Sequence, residues 1–406
     1  MTSISHFRAV HRKGCNMKRK TAFQVDEENY HNAKSGEFPH LLQFAVKKSG
    51  RSAFTIAKEF ALLQKSYQKI NIVEYIRWKL YDSDRYNPAE RAAFVSNDLH
   101  WPIINKCCDP AWNAVAEDKV IADLVMRESG VPVPETLAVI DRSIRHYPGV
   151  QKLGTPEAVR DMMLAQDGSG MFGKVVGGMV SFGAFAIERA DETHVTCVGR
   201  EPMTYETFLT DFIGNNAYII QKILTNHIDL DTYCSALATV RMVNLIRDGR
   251  IDTVIAVIKL PQGENIADAF WRAGNLACEV DVETGTIKTV VRRDGPEMIF
   301  LEDHPEIPGL MGLQLPHWKK LREINELAAK VYAPLRYQSC DIAITPNGPV
   351  MIELNYGGGF DLPQNASGRG LLTPDIRTFF EECGYDFHPI AKKRGKGLLG
   401  LFRKGN

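Results

Sequence analysis

The chain has 406 residues, 44% hydrophobic and 24% charged, which excludes a disordered or collagen-like protein and requires more than one domain, since a single core rarely grows past roughly 250–300 residues. Forty-nine Lys/Arg balance 49 Asp/Glu, so net charge offers no electrostatic case for nucleic acid or membrane as a partner. The balance is uneven: residues 1–20 and 391–406 carry six bases each and no acid, leaving 37 bases against 49 acids, a formal −12, between them.

The opening MTSISHFRAVHRKGC lacks the apolar core of a signal peptide, and no stretch reaches the roughly 18 apolar residues that cross a bilayer. A cytoplasmic protein, or one peripheral to a membrane, is expected. Eight cysteines stand without a CxxC pair or metal spacing, so no disulfide framework is expected. After a basic arm (1–20), residues 21–109 are predicted helical: LLQFAV, FTIAKEFALL, NIVEYIRWKLY and PAERAAFV carry apolar positions three and four apart. KVIADLVMRES (119–129) is a short amphipathic helix stopped by Gly130 and VPVP.

Short β-branched runs follow, FGKVV (172–176), GAFAIE (183–188), THVTCV (193–198) and AYIIQKI (217–223), interleaved with helices over about 155–166 and 204–213 that open on threonine. The second half is strand-rich. LATVRMVNLI and DTVIAVIKL joined by RDGR, LACEVDV and TIKTVV by ETG, and CDIAIT and PVMIEL by PNG read as hairpins. From Pro316 to about Tyr332, Trp318, Leu321, Ile324, Leu327, Ala328 and Val331 predict one apolar helical stripe. The fold class is α+β, a helical front with antiparallel sheets behind.

Asp341 opens one strand of the last hairpin, and Glu353 and Asn355, two apart, share a face of its partner. Brought together by the turn, two carboxylates and an amide oxygen are hard ligands suited to Mg²⁺ shared with phosphates; a hairpin with one polar face in water is the alternative. YGGGF (356–360) beyond it permits close backbone approach to a ligand. Lys174 precedes Gly177, Gly178 and Gly183, a point charge followed by N–H groups free to meet phosphate oxygens. GxxxxGK[ST] and GxGxxG are both absent, and a flexible β-hairpin accounts for the same glycines. Arg241 lies inside an apolar strand, where its charge needs an ion-pair partner or a ligand.

In this order and spacing the pieces resemble the ATP-grasp superfamily, and within it the sugar-transfer-associated ATP-grasp family found with polysaccharide biosynthesis functions. The similarity runs from about residue 55 to 380. It is carried by EDK (117–119), GKVVGG, IIQKILTNHIDL, ATVR, EVDVETGTI, HPEIPGLMGLQLPHW (304–318) and CDIAITPNGPVMIELN (340–355). The resemblance implies an ATP-grasp fold behind the helical region: a first subdomain over 110–216 with the phosphate loop, a second over 217–385 with the metal site, then a basic tail (386–406). It implies Lys119 and Lys174 on the α- and β-phosphates, the loop of Gly177, Gly178 and Gly183 above them, and adenine at Gln221, Lys222 and Leu224. The ribose falls to His227 or Asp229, two magnesium ions to Asp341, Glu353 and Asn355, and the γ-phosphate to Arg241. The sequence departs from the family pattern at Ala238, Cys340 and Ala273-Gly274, which bears on the acceptor pocket. Asn265, Asp268, Arg272 and Asn275 are the acceptor candidates, with a solvated loop as the alternative.

The implied activity is an ADP-forming carboxylate–amine ligase working through an acyl phosphate on small-molecule acid and amine partners, such as a sugar acid or an amino acid, with no nucleic-acid partner. Two alternatives stay open: a phosphotransferase acting on a hydroxyl, and a non-catalytic nucleotide-binding partner of a glycosyltransferase complex. The tail KKRGKGLLGLFRKGN suits an anionic membrane surface or, equally, a solvated end.

Overall fold

The structure, a computed structural model, describes residues 20–34 and 36–387, so the expectations for the basic arm and for nearly all of the basic tail lie outside the described residues. Eight α-helices open the described chain: α1 (Ala22–Lys34), α2 (Phe38–Ser49), α3 (Ala53–Lys65), α4 (Ile72–Arg77), α5 (Pro88–Ala92), α6 (His100–Cys107), α7 (Pro110–Glu117) and α8 (Lys119–Glu128). Their starts are locally encoded. Asn71 with Glu74 and Asn87 with Glu90 close capping boxes, and the Asp118 carboxylate accepts from the first N–H groups of α8. Ile56, Phe60, Tyr75, Trp78 and Phe94 bury into a core of their own within this section.

Two seven-stranded sheets follow. The first comprises β1 (Thr136–Ile140), β2 (Lys152–Leu153), β3 (Met171–Val175), β4 (Phe185–Ala190), β5 (His194–Cys197), β6 (Met203–Thr204) and β7 (Tyr218–Lys222), in the order β2-β1-β7-β3-β4-β5-β6. The second comprises β8 (Thr239–Arg247), β9 (Arg250–Leu260), β10 (Leu276–Val280), β11 (Val290–Asp294), β12 (Glu297–Leu301), β13 (Tyr337–Thr345) and β14 (Gly348–Asn355), in the order β12-β11-β10-β9-β8-β13-β14. The architecture is α+β with a helical N-terminal section, as expected.

Four local details differ from the sequence reading. The first sheet is mixed, because β1 and β2 run parallel. The helix expected over 204–213 starts as α at Tyr205–Thr207 and continues as a π-helix over Phe208–Ile213. The ETG hairpin forms, with Val280 bridged to Ile287 around Gly285, but the regular returning strand begins only at Val290. In the helix Trp318–Val331, Leu327 faces outward at 38% exposed, while Trp318, Leu321, Ile324 and Ala328 are buried in the core of the second sheet.

The register of the last hairpin positions the chemistry. Thr345 pairs with Gly348 and Ile342 with Met351, but Asp341 pairs with Glu353, leaving Ile352 as the extra residue of a β-bulge. An unbroken ladder would set Asp341 opposite Ile352 and turn Glu353 to the other face.

Candidate functional site

A cavity of about 890 Å³ opens between the two sheets, with α1, the end of α4 and the start of α8 on its wall. Arg241, on β8, lies directly across from Asp341 on β13, and its Nε and Nη2 donate to the two carboxylate oxygens at 2.8 and 2.6 Å. Lys259, on β9, reaches the same carboxylate at 3.2 Å and Asp268 at 3.0 Å. Burial would raise the Asp341 carboxyl, but the Arg241 and Lys259 charges override it and hold it down at about 2. Burial would lower the Arg241 guanidinium, yet Asp341 keeps it above its ordinary value. Arg241 and Asp341 are therefore both charged at neutral pH.

Lys119 is the first residue of α8, aimed by the Asp118 cap, and its Nζ lies 3.0 Å from Glu353 Oε1 and 2.5 Å from the Gly178 carbonyl. Lys174, on β3, donates at 3.3 Å to the carbonyl of Ile352, the bulge residue of the opposite sheet. Burial lowers Lys174 to about 8, a fall that Glu353 opposes and Lys119 reinforces. Asn355 Nδ2 comes within 3.5 Å of Asp341. Four cations thus meet at one end of the cavity against the carboxylates of Asp341, Glu353 and Asp268, a surplus that suits a polyanion.

The loop after β3 is held by contacts that sequence reasoning did not anticipate. Gly183 donates its N–H to Asp26 of α1 at 2.9 Å, Arg272 pairs with the same carboxylate at 3.0 Å, and Trp271 Nε1 donates to the Val180 carbonyl at 3.1 Å. Phe182 packs edge-on against Phe23 and Tyr30. Gly183 has φ +68°, and a Cβ there would come 2.5 Å from the Tyr218 hydroxyl, so the position requires glycine. Phe182 belongs to this aromatic clasp, whereas Met179 is exposed.

A profile of the sugar-transfer associated ATP-grasp family matches residues 103–378. The chain belongs to that family. Among solved structures, this ATP-grasp chain is similar to the ATP-grasp ligase PsnB complexed with minimal precursor, at 16% identity and TM-score 0.35 over 69% of this chain and 63% of that one. It is also similar to the VanG D-Ala:D-Ser ligase from Enterococcus faecalis, at 13% identity and TM-score 0.37 over 67% of this chain and 64% of that one. A third is the biotin carboxylase from Campylobacter jejuni, at 14% identity and TM-score 0.37 over 67% and 47%. The chain spans a little under two thirds of the length of PsnB. No curated protein matches it.

ATP-grasp enzymes use ATP and typically Mg²⁺. Asp341 is held deprotonated, and Glu353 and Asn355 share its face of the hairpin. Among the described residues no group of three His, Cys, Asp or Glu could hold a metal alone. The residues therefore fit an ion that takes most of its oxygens from phosphate and water, the habit of magnesium. For the base, Gln221 is buried at the cavity wall with its Nε2 on Thr136 Oγ1 at 3.3 Å, and Leu224 also lines the cavity.

Lys119, Lys174, Gly177, Gly178, Gln221, Lys222, Leu224, Arg241, Asp268, Asp341, Glu353 and Asn355 all line this one cavity. Other expected residues do not. Gly183 is turned to Asp26 behind the loop; His227 caps a helical turn by accepting from the Asp229 N–H, and Asp231, one turn on from His227, lines the cavity in their place. Of the acceptor candidates, Asn265 and Asn275 bond each other and the surrounding loop, and Arg272 is committed to Asp26, so Asp268 alone faces the cavity. Gly357, Gly358 and Gly359 of YGGGF do line the cavity, and they also approach the protein closely: a Cβ on Gly358 would fall 2.2 Å from Ser339 Oγ. Lys259 was missed, although it carries the signal that marked Arg241, a cation inside the apolar run IAVIKL.

Proposed function

We propose that the chain is an ADP-forming carboxylate–amine ligase. The observation that carries this reading is the meeting of Lys119, Lys174, Arg241 and Lys259 with Asp341, Glu353 and Asn355 at one end of a cavity large enough for a nucleotide and a second substrate. In this reading a first subdomain over 110–216 contributes Lys174 and the glycine loop, and a second over 217–385 contributes the metal set, although β7 (Tyr218–Lys222) pairs within the first sheet.

Lys119 and Lys174 hold the α- and β-phosphates as point charges, and the Gly177–Gly178 backbone approaches them from above. Gln221 and the Leu224 N–H receive adenine. Asp341, Glu353 and Asn355 hold magnesium, which neutralises phosphate charge when bound. Arg241, kept charged and oriented by Asp341, stabilises the γ-phosphoryl group as a substrate carboxylate attacks it and ADP leaves. An amine then displaces phosphate from the acyl phosphate. That step requires dryness, which the clasp of α1, Phe182 and Trp271 over the loop supplies. The family's description supports a sugar-linked acid or amine, in polysaccharide biosynthesis, as one partner.

The test is ATP-dependent phosphate release over a panel of sugar acids and amino acids, with hydroxylamine present. A hydroxamate identifies the acyl phosphate. Phosphate retained on product without hydroxamate would replace the ligase reading with phosphotransfer to a hydroxyl, and nucleotide binding without ADP release over the whole panel would replace it with a non-catalytic role.

A further inference from the structure

The cavity continues beyond the phosphate-binding cluster to a second basic feature. Arg77, the last residue of α4, is 6% exposed and lines the cavity, and its Nε has no hydrogen-bond acceptor. Among the described residues no carboxylate lies within ion-pair distance of it, unlike Arg241, Arg247 or Arg369, each of which is paired. Arg293, on β11, also lines the cavity and bonds only backbone carbonyls, those of Ala33 and Gly295. α4, which ends at Arg77, packs against β12, the hairpin partner of β11 on which Arg293 pairs with Met298, so the two cations come from adjoining elements of one cavity wall; burial and the Arg77 charge both lower the Arg293 pKa. Asn365 stands beside them on the cavity wall with its Oδ1 occupied by Trp78 Nε1, leaving its NH₂ to donate.

Buried arginine is costly unless an anion compensates it, and among the described residues none pairs with Arg77. Arg293 sits on the same sheet face as Lys259. Lys259 pairs with Ala277, Ala277 with Val291, and Arg293 lies two residues further along β11. Two strand spacings and two residue rises put the Arg293 and Lys259 Cα atoms about 12 Å apart.

We propose that Arg77 and Arg293 form an oxyanion subsite for a carboxylate or phosphate group carried by the acid or amine substrate, about 12 Å from the reacting end. The substrate is then a molecule with an anionic group remote from the bond being made, and a small monoanionic amino acid does not span the site. The assignment of the reacting end rests on the proposed ligase reading; the anion subsite itself does not.

The experiment uses the full chain with its nucleotide site filled by Mg²⁺ and a non-hydrolysable ATP analogue, titrated by calorimetry with inorganic phosphate and, separately, with glutarate. The wild type is expected to bind at least one of them. Arg77→Gln and Arg293→Gln should each weaken that binding about tenfold or more, the loss of one charge-assisted contact, with analogue affinity unchanged. Tighter phosphate binding identifies a phosphorylated substrate, and tighter glutarate binding a carboxylate one. Removing an uncompensated charge should also leave the melting temperature of the ligand-free protein unchanged or raised in Arg77→Gln. A lowered melting temperature with undiminished anion binding would make Arg77 structural and overturn the proposal, as would absence of binding of both anions to the wild type. If Arg77→Gln does not fold, Arg293→Gln and Arg77→Lys carry the test; undiminished affinity in Arg293→Gln overturns it. No turnover is measured, so a panel without hydroxamate would sink the ligase reading and leave this one standing.

Discussion

Lys174 is the residue whose charge is most finely poised in the proposed nucleotide site. Burial brings it from an ordinary 10.5 to about 8, with Glu353 opposing the fall. In the free protein about nine tenths of Lys174 is then charged at pH 7 and about one tenth at pH 9. With only the ammonium form holding phosphates, the Kd for Mg·ATP should be about tenfold larger at pH 9 than at pH 7, and should rise about tenfold per pH unit beyond 9. The sign follows from linkage: phosphate favours the protonated lysine and raises its pKa, so binding above pH 8 takes up close to one proton. Calorimetry in two buffers of different ionisation enthalpy measures both the Kd and the proton uptake. Lys174→Arg does not titrate in this range and should give a flat Kd. A wild-type Kd that is constant from pH 7 to 9, or an equal slope in Lys174→Arg, would refute the reasoning. Without nucleotide the direction reverses: the unfolded lysine binds its proton more tightly than the folded one, so stability should increase as pH rises from about 8 toward 10.5.

Glu353→Gln should lower ADP release by about a hundredfold or more while nucleotide affinity changes only a few-fold, since the surrounding cations remain; wild-type turnover would remove Glu353 from the site. Asp341→Asn leaves Arg241 buried with a neutral partner and Lys259 with Asp268 alone, and should cost about 3–5 kcal/mol in urea unfolding, whereas a loss below about 1 kcal/mol would show that Arg241 finds another partner. Asp26→Ala removes the carboxylate that joins Gly183 to Arg272, so amide exchange over residues 177–184 should accelerate; protection equal to wild type would exclude α1 as the clasp of that loop.

Much of the helical front was legible because its capping boxes and its three-four apolar spacing are local properties that survive in any packing. The same holds for the strands joined by RDGR and PNG, whose turns are short and chemically specific. Arg241 could be picked out because charge inside an apolar strand demands compensation that the strand cannot itself provide, Lys174 because glycines follow it, and Asp341 and Glu353 because a short turn brings their carboxylates together. The loop after β9 was harder to read. Asn265, Asp268, Arg272 and Asn275 are all polar and near one another in sequence, yet three serve the loop's own hydrogen bonds or α1, and only packing separates them from Asp268. His227 and Asp229 were indistinguishable from Asp231 for the same reason.

Composition and pattern alone established an α+β chain, the order of its elements and the residues on which charge would be expensive. They could not establish which of those residues meet. A side-chain period of two assigns faces only while the ladder is unbroken, and one extra residue inverts the assignment. Glu353 stands beside Asp341 because Ile352 bulges, and that bulge is braced from outside the hairpin, by the Met351 N–H on the Pro132 carbonyl and by Lys174 on the Ile352 carbonyl. Arg77 and Arg293, more than two hundred residues apart, are likewise brought to one wall only when the helical front folds onto the second sheet. Local sequence decides what a residue can do, and long-range packing, whose contacts leave no periodic trace, decides what it does it with.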